Sequence, residues 1–542
     1  MSAQTDLRGS TSPAPTVPDW VKARSHTHGR TTPSRWTTTS GFLRRHSVAL
    51  ACLTTLVVHL LSLSRQLGPD EGGFTMVARH WREPGAYLYG PSWVDRPPGL
   101  IGLFSVAQHL GPYGVRLTAS VLAVVLVAAL ASAAYTLAGP SAARWTAWTA
   151  FAFGASTMLD TQQLNGELAA STLVAVSIAA LVRAAWPSST SRRRLWWAVL
   201  AGATAVGAVL MKQNFVDALA FAGVLLLGSL VTAANRRRYG ASTIVATMAG
   251  FGGGALLVVG AGLLWARSHG GVGALAYAMY GFRSDAASVM AHWSWAAPQQ
   301  RLGILVQVAV VSGLLVLLTQ LAITHARALW PVRPLPWALT ATVGVELFGV
   351  AGGGNFWNHY LIGLIPGVAL TAGLAASRRS RARRLTQLLV AGSVAVTAFT
   401  APAAALGEVH HPSRAYATGR WIAAAAQPGD TIVVPYTHAN VIQASGLAPG
   451  YPYAWSLPAR TRDPQLSLLT STLSGPNGPT WVVRWDDLHT WGLDPQHAVD
   501  AALESHYRVV AEVCGHPVWL RTGVNRDLLP TPSDESCGAG TE

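Results

Sequence analysis

At 542 residues, half of them hydrophobic and only 12% charged, the chain falls well below the roughly 25% charged share of a soluble domain. That excludes an ordinary soluble protein and points to a polytopic membrane protein. A formal charge of +15 raises nucleic-acid binding as a reading, but the basic residues cluster between apolar runs, which argues against it.

Residues 1–43 are rich in Ser, Thr, Pro and Arg without an apolar core, and read as a disordered cytoplasmic tail. A membrane span needs roughly 20 apolar residues. On that criterion about eleven spans are expected, at 46–64, 114–138, 144–161, 166–186, 195–211, 215–234, 241–265, 302–323, 335–351, 359–377 and 385–403. The first lacks a small-residue cleavage site, so a retained span is expected rather than a cleaved signal peptide. Cys52 lies within it.

Basic clusters fall at Arg44-Arg45, at Arg183 with Arg192-Arg193-Arg194, at Arg236-Arg237-Arg238, at Arg327 with Arg333, and from Arg378-Arg379 to Arg384. Two spans separate consecutive clusters, apart from a weakly basic turn at Gly139–Arg144. The positive-inside rule then puts the clusters and the N-terminus in the cytoplasm and the C-terminus outside. The expected domains are a membrane domain over 44–405, with its first external loop at 65–113, an extracytoplasmic domain over 406–522 and a flexible tail over 523–542.

Within the first external loop, Asp70–Glu83 reads as a short helix with Phe74, Val77 and Trp81 on a related face. After Pro97-Pro98, the apolar stretch Gly99–Leu110 is too short to span and suits a helix in the outer interface. Trp81, Tyr87, Tyr89 and Trp93 fit an aromatic belt at that level. A second external loop, about 267–300, holds Tyr277, Tyr280, Phe282, Arg283, His292, Trp293 and Trp295, and reads as an interfacial lid or lipid contact. The glycine runs at 250–254 and 352–354 lie in spans, not between a strand and a helix, so close helix packing is favoured over a phosphate loop.

From Glu408 the composition becomes that of a soluble domain. Strand-like runs at Thr431–Tyr436, Thr480–Trp485, Tyr507–Val513 and Pro517–Arg521, with helices near Ala415–Ala426 and Pro495–Glu504, predict a small α/β domain. Cys514 and Cys537 lie where a disulfide is permitted, but two cysteines set no pattern.

The ionisable residues share one depth. Asp70, Glu71, Asp95 and Arg96 are in the first external loop, and Asp160 and Glu167 bracket the next external turn. Lys212 follows Leu195 by roughly 26 Å of helix at 1.5 Å per residue. Asp217 opens the return span, Glu346 lies in the last turns of an outward-going one, and Asn355, Asn358, His359 and Tyr360 follow at the next external turn. An ion-coupled transporter more often carries its charges near the midplane. A one-sided set of acids and bases suits chemistry on a lipid headgroup in the outer leaflet.

The order of these residues resembles the type C glycosyltransferases, in particular the branch with the protein O-mannosyltransferases and the lipid A aminoarabinose transferase. The shared features are an acidic pair after the first span, a basic-Pro-Pro element, a Tyr-Gly-Val-Arg-Leu stretch, an acidic turn, a lysine ending the fifth span and a late His-Tyr. The resemblance covers roughly 45–405 and implies a helical bundle that transfers sugar from a polyprenyl-phosphate carrier to an external protein, glycan or lipid acceptor, with a mannosyl- or arabinosyl-type donor. It maps the catalytic base onto Asp70, the basic residue before Pro onto Arg96 (Lys in the aminoarabinose enzyme), and the span-ending lysine onto Lys212. Asp160 and Glu167 both fit the second acidic position.

The chemistry has a physical rationale. A hydroxyl acceptor needs a base as it attacks the anomeric carbon, and attack opposite the phosphate inverts that centre. Glu71 lies about 100° further round a helix than Asp70, so the two should not face one hydroxyl. The plainer reading makes Asp70 an N-cap and Glu71 a partner of the helix dipole. Arg96 can fork onto two phosphate oxygens while Lys212 acts as a point charge; the plainer reading of both is snorkelling. Lys212 is the only lysine besides Lys22, which favours a selected role. His359 and Tyr360 could donate to the same phosphate or simply sit at the interface, and Glu167 and Glu346 could orient the cations, bind sugar hydroxyls or pair structurally.

Candidate catalytic residues are therefore Asp70 and Glu71. Candidate substrate-binding residues are Asp95, Arg96, Asp160, Glu167, Lys212, Glu346, His359 and Tyr360. No metal site is assigned, since Asp70-Glu71 is a poorly spaced ligand set and no His/Cys cluster stands out; a divalent cation on the phosphate is compatible but not required. A transporter or flippase of lipid-linked sugars is the alternative, and would show polar residues through the whole membrane depth. A non-catalytic envelope-binding protein is a third reading, under which the first-loop acids should tolerate substitution.

Overall fold

The structure, a computed structural model, describes residues 45–81, 89–90, 92–185, 190–292, 294–326, 333–380, 382–409, 413–533 and 537. The tail 1–43, together with Arg44, Tyr87, Trp293 and Arg327, lies outside them.

Each expected span falls on a helix, as it must where hydrocarbon offers the backbone no hydrogen-bond partner. Among the described residues, seven helices are long and apolar enough to cross a membrane: Gly114–Ala138, Gly166–Ala184, Ser191–Met211, Ala241–Ser268, Pro334–Gly352, Asn358–Ser377 and Ala382–Leu406. Ala296–Val311 and Leu314–Thr324 make an eighth if taken as one span bent by 71°. Ser47–Leu61, Pro140–Gly154 and Asp217–Val231 have 15 residues each, or about 22 Å of helix, and do not by themselves traverse a core of about 30 Å. The protein is thus a multi-pass helical membrane protein.

The two glycine runs differ. A Cβ at Gly254 would lie 2.0 Å from the Val199 carbonyl oxygen, and one at Gly250 2.8 Å from Ala198, so this run packs two helices backbone to backbone. The run at 352–354 instead ends a helix, with Gly354 at φ +65°, a conformation that glycine adopts without steric cost.

Loops at one end of the bundle carry two further short helices. Pro69–His80 starts with Pro at its first position, and Pro98–Ala107 follows the extended Pro97 and continues as a tight turn through Gln108–Leu110. The segment after Ala241–Ser268 has one face packed on protein, while Tyr280 and Trp295 stay exposed. It folds into Val272–Ala276, a π turn at Tyr277–Gly281 and Phe282–Met290. Phe282 is buried against Trp93, with ring centroids 4.8 Å apart, in a cluster that includes Tyr453 of the C-terminal domain. Aromatic composition suits a lipid interface and a protein interface equally, so the sequence alone does not separate the two here.

The C-terminal domain holds a five-stranded sheet: β1 (Thr431–Val433), β2 (Ala448–Pro449), β3 (Trp481–Val483), β4 (Tyr507–Val513) and β5 (His516–Arg521), in the order β2-β1-β3-β5-β4. β1 pairs in parallel with β2 and β3, while β5 runs antiparallel to β3 and β4. β1 stops short of its expected end because Pro435 has no N–H to donate and Tyr436 takes φ +81°. The expected helices appear as Arg414–Ala425 and Ala498–His506, joined by Ala439–Ser445, Ser456–Arg462 and Ser467–Ser474. One apolar core runs from Leu126 and Ile365 in the bundle, through Phe74 and Phe104, to Ile432 and Trp481 in this domain.

The described part of the final stretch is tied to the sheet domain at three points. Arg526 forks onto Asp430, Trp421 donates through its indole N–H to the Leu529 carbonyl at 3.1 Å, and Cys537 is disulfide-bonded to Cys514. Polar composition hid these long-range ties.

Candidate active site

The Pro69–His80 helix begins the site. Gly68 is its N-cap, so Asp70 lies inside the first turn and is not the cap. Glu71 turns inward and is 1% exposed. Its Oε2 pairs with Arg116 at 2.8 Å and accepts from the Gly68 N–H at 3.3 Å, while Oε1 accepts from the Leu164 N–H at 2.8 Å. Arg116, itself buried, also donates to the Gln162 and Gln66 carbonyls at 2.9 and 2.7 Å. Both Glu71 oxygens therefore tie the helix to the 155–165 turn, which gives the residue a structural role and sets it apart from Asp70.

Asp70 faces the other way. Its Oδ1 accepts from the Trp455 indole N–H at 2.9 Å, and its Oδ2 makes no hydrogen bond among the described residues. Trp455 belongs to the C-terminal domain, and its ring lies 5.3 Å from Phe74. The approach depends on two glycines: a Cβ at Gly73 would lie 2.4 Å from Trp455 Cζ2, and one at Gly72 2.5 Å from the Asn440 Cα. Nothing local in the sequence marks Trp455 as part of this site.

Asp95 is buried and pairs with Arg96 at 2.8 Å and with Arg283 at 2.5 Å. Burial disfavours its charge, but Arg283 and then Arg96 outweigh that and hold the carboxyl below its ordinary range. Burial likewise opposes the Arg96 charge, and the fields of Asp95, Asp70, Glu167 and Tyr360 reverse the effect, so the guanidinium is held more firmly protonated than a free one. Arg96 lies 5.7 Å from the Phe74 ring, and Tyr89 donates to its carbonyl at 3.1 Å.

Across from this pair, Asn165 caps the Gly166–Ala184 helix by accepting from the Leu168 N–H at 2.8 Å, which sets Glu167 in the first turn. Lys212, the extended residue ending Ser191–Met211, forms a close ion pair with Glu167 Oε1. His359 Nε2 lies 3.4 Å from the same oxygen, and the Lys212 ammonium stands 4.5 Å from the Tyr360 ring. Asp160, at φ +56°, sits in the adjoining turn. Burial pushes its carboxyl up, with the fields of His359 and Arg65 opposing. Glu167 is thus the acid bonded to Lys212, with Asp160 beside His359.

Glu346 is 2% exposed and faces Asp217 rather than the cluster, with Oε2 against Gly363. Neither Asp217 oxygen finds a donor among the described residues. Glu346 Oε1 likewise finds no hydrogen-bond partner among the described residues, so the two carboxyls sit together beside the Lys212 cluster. Sequence reasoning gave no role at the site to Arg116, although it lies in the quoted Tyr-Gly-Val-Arg-Leu stretch, or to Arg283, whose loop read as lipid-facing. Both Asp95 oxygens and Glu167 Oε1 are engaged by cations, which leaves Asp70 Oδ2, Glu167 Oε2 and Asp160 as the carboxylate oxygens open to a divalent ion among the described residues.

No family model matches the chain, and no curated protein matches it. Solved structures do. ArnT from Cupriavidus metallidurans in the apo state is 17% identical at a TM-score of 0.58, over 89% of this chain and 98% of that one. The same protein bound to undecaprenyl phosphate is 16% identical at 0.57, with the same coverage. The Archaeoglobus fulgidus oligosaccharyltransferase in complex with Zn and sulfate is 12% identical at 0.52, over 86% of this chain and 72% of that one. The chain therefore has the type C glycosyltransferase fold.

Proposed function

We propose that this protein is an integral membrane glycosyltransferase that moves a sugar from a polyprenyl-phosphate donor to an acceptor hydroxyl on the extracytoplasmic side. The observation that carries the reading is one carboxylate oxygen, Asp70 Oδ2, with no hydrogen bond among the described residues, near Arg96 and the Lys212–Glu167–His359 cluster. ArnT, one of the structural neighbours, is described bound to undecaprenyl phosphate, which supports a lipid-phosphate donor here.

In this mechanism Asp70 takes the acceptor proton as the acceptor oxygen attacks the anomeric carbon. The bond from that carbon to the phosphate oxygen breaks, and its electron pair leaves with the lipid phosphate. Positioned cations stabilise that growing charge without reorganising. Arg96 supplies the fork and Lys212 the point charge, while Glu167 and His359 fix the lysine and Tyr360 backs it. A single displacement of this kind inverts the anomeric centre. Trp455 holds one Asp70 oxygen and so aims the other. None of these steps requires a metal, although Asp70 and Asp160 leave room for one on the phosphate.

The test is Asp70→Asn assayed with a polyprenyl-phosphate sugar in proteoliposomes. A positioned base contributes roughly 10²- to 10⁴-fold, so transfer should fall by at least about 100-fold at unchanged membrane expression. Full activity in that variant would remove the mechanism.

A further inference from the structure

The sheet domain carries a second cluster, formed by residues that the candidate active site does not use. His489 lies in the tight turn Leu488–Trp491, and His497 and Asp500 lie at the start of the Ala498–His506 helix. Asp500 Oδ2 is 2.8 Å from His489 Nε2 and 3.3 Å from His497 Nδ1. One ligand atom from each residue lies within 4.8 Å of the other two, and the two imidazole rings are 4.2 Å apart. Tetrahedral zinc, with bonds near 2.0–2.2 Å, wants its ligands roughly 3.3 Å apart, so the three atoms need only small adjustments to share one ion.

Their setting is built. Asp494 accepts from the backbone N–H groups of Ala498 and Val499 at 2.7 and 2.9 Å, which fixes the turn carrying His497 and Asp500. Asp487 accepts from the His489 N–H at 3.0 Å and fixes the other side. Arg484 pairs with Asp500 Oδ1 at 3.2 Å, leaving Oδ2 turned toward the imidazoles. An outer partner that orients a ligating carboxylate in this way is a recurring part of metal sites. His497 is exposed, which gives an ion a path in and leaves a coordination position open to water.

We propose that His489, His497 and Asp500 form a binding site for a divalent transition ion of the zinc class. Two imidazoles and one carboxylate select such ions over Mg²⁺ or Ca²⁺, which prefer all-oxygen shells. Without the ion, the ring nitrogen 2.8 Å from Asp500 Oδ2 donates its proton to that oxygen. On binding, that proton leaves to solvent or the neutral ring carries its proton on the other nitrogen. Each imidazole then offers a lone pair, and no redox partner is needed. The bound ion staples the 488–491 turn to the following helix, and the site is independent of sugar transfer.

The test uses the full chain in detergent, purified without a polyhistidine tag, stripped with chelator and titrated with Zn²⁺ by calorimetry. We expect about one equivalent to bind, with no comparable uptake of Mg²⁺, and the unfolding temperature to rise on Zn²⁺ addition. His489→Ala and His497→Ala should each weaken binding by about 100-fold or more, and Arg484→Gln by about 10- to 100-fold. His497 is a surface residue, so its variant folds even if His489→Ala does not. Absence of Zn²⁺ binding by the wild type, equal affinity for Mg²⁺, or an unchanged titration in folded His497→Ala would each overturn the proposal.

Discussion

One step along a helix turns a side chain by about 100°. That is enough to send Glu71 into the interior against Arg116 while Asp70 keeps an oxygen clear. Removing one partner of a buried ion pair leaves the other charge uncompensated, at about 3–5 kcal/mol. Glu71→Gln should therefore lower unfolding stability in detergent by about that amount, whereas Asp70→Asn should leave stability near wild type and remove turnover. Asp95 adds a pH dependence. Its folded-state pKa lies below the ordinary 3.8, so its ion pairs contribute fully above that value and are lost as pH falls through the folded one. Thermal unfolding followed from neutral to strongly acid pH should show an acid limb that is reduced in Asp95→Asn. The sequence carried these residues unevenly. Helix geometry separated Asp70 from Glu71, but nothing local named Arg116 as the partner of Glu71, because that pairing spans 45 positions (116 − 71).

At the scale of elements, the proposed base is aimed by the contact between the Pro69–His80 helix and the C-terminal domain. Trp455→Phe keeps an aromatic ring over Phe74 and Gly73 but removes the N–H that holds Asp70 Oδ1. Losing one hydrogen bond to a charged group costs roughly 1.5–3 kcal/mol. We expect turnover to fall about 10- to 100-fold, with donor KM and folding little changed. Gly73→Ala tests the same contact sterically, since its Cβ would meet Trp455 Cζ2 at 2.4 Å; it should depress turnover together with stability. The spans were legible because hydrocarbon imposes one demand on every residue in them. The protein contacts of the 267–300 loop and the final stretch were not legible because their partners, Asp95, Tyr453, Asp430 and Cys514, lie far away in the chain.

For the whole molecule, the proposed sidedness rests on the arginine clusters, and it can be checked without any assay of sugar transfer. In intact cells, a membrane-impermeant thiol reagent should label Ser474→Cys, on the exposed end of a C-terminal-domain helix, and should not label Ser191→Cys beside the 192–194 cluster. The reverse pattern would invert the topology and with it the argument from outer-leaflet depth. The bundle, its charged end and the sheet domain were all readable from composition and periodicity. That the sheet domain reaches into the charged end was not, because glycines at 72 and 73 signal closeness without saying to what.

The Trp455–Asp70 bond also sets an order of events in biosynthesis. The two residues are 385 positions apart, and at about 5–20 residues per second the ribosome needs roughly 20–80 s to travel between them. Throughout that interval the nascent chain holds the acid and the nearby Arg96 in the membrane without the indole that aims the acid. On the proposed mechanism, competence comes late, when the sheet domain has been made and has docked, so a chain broken off before Trp455 would carry most of the charged cluster and lack the indole bonded to Asp70.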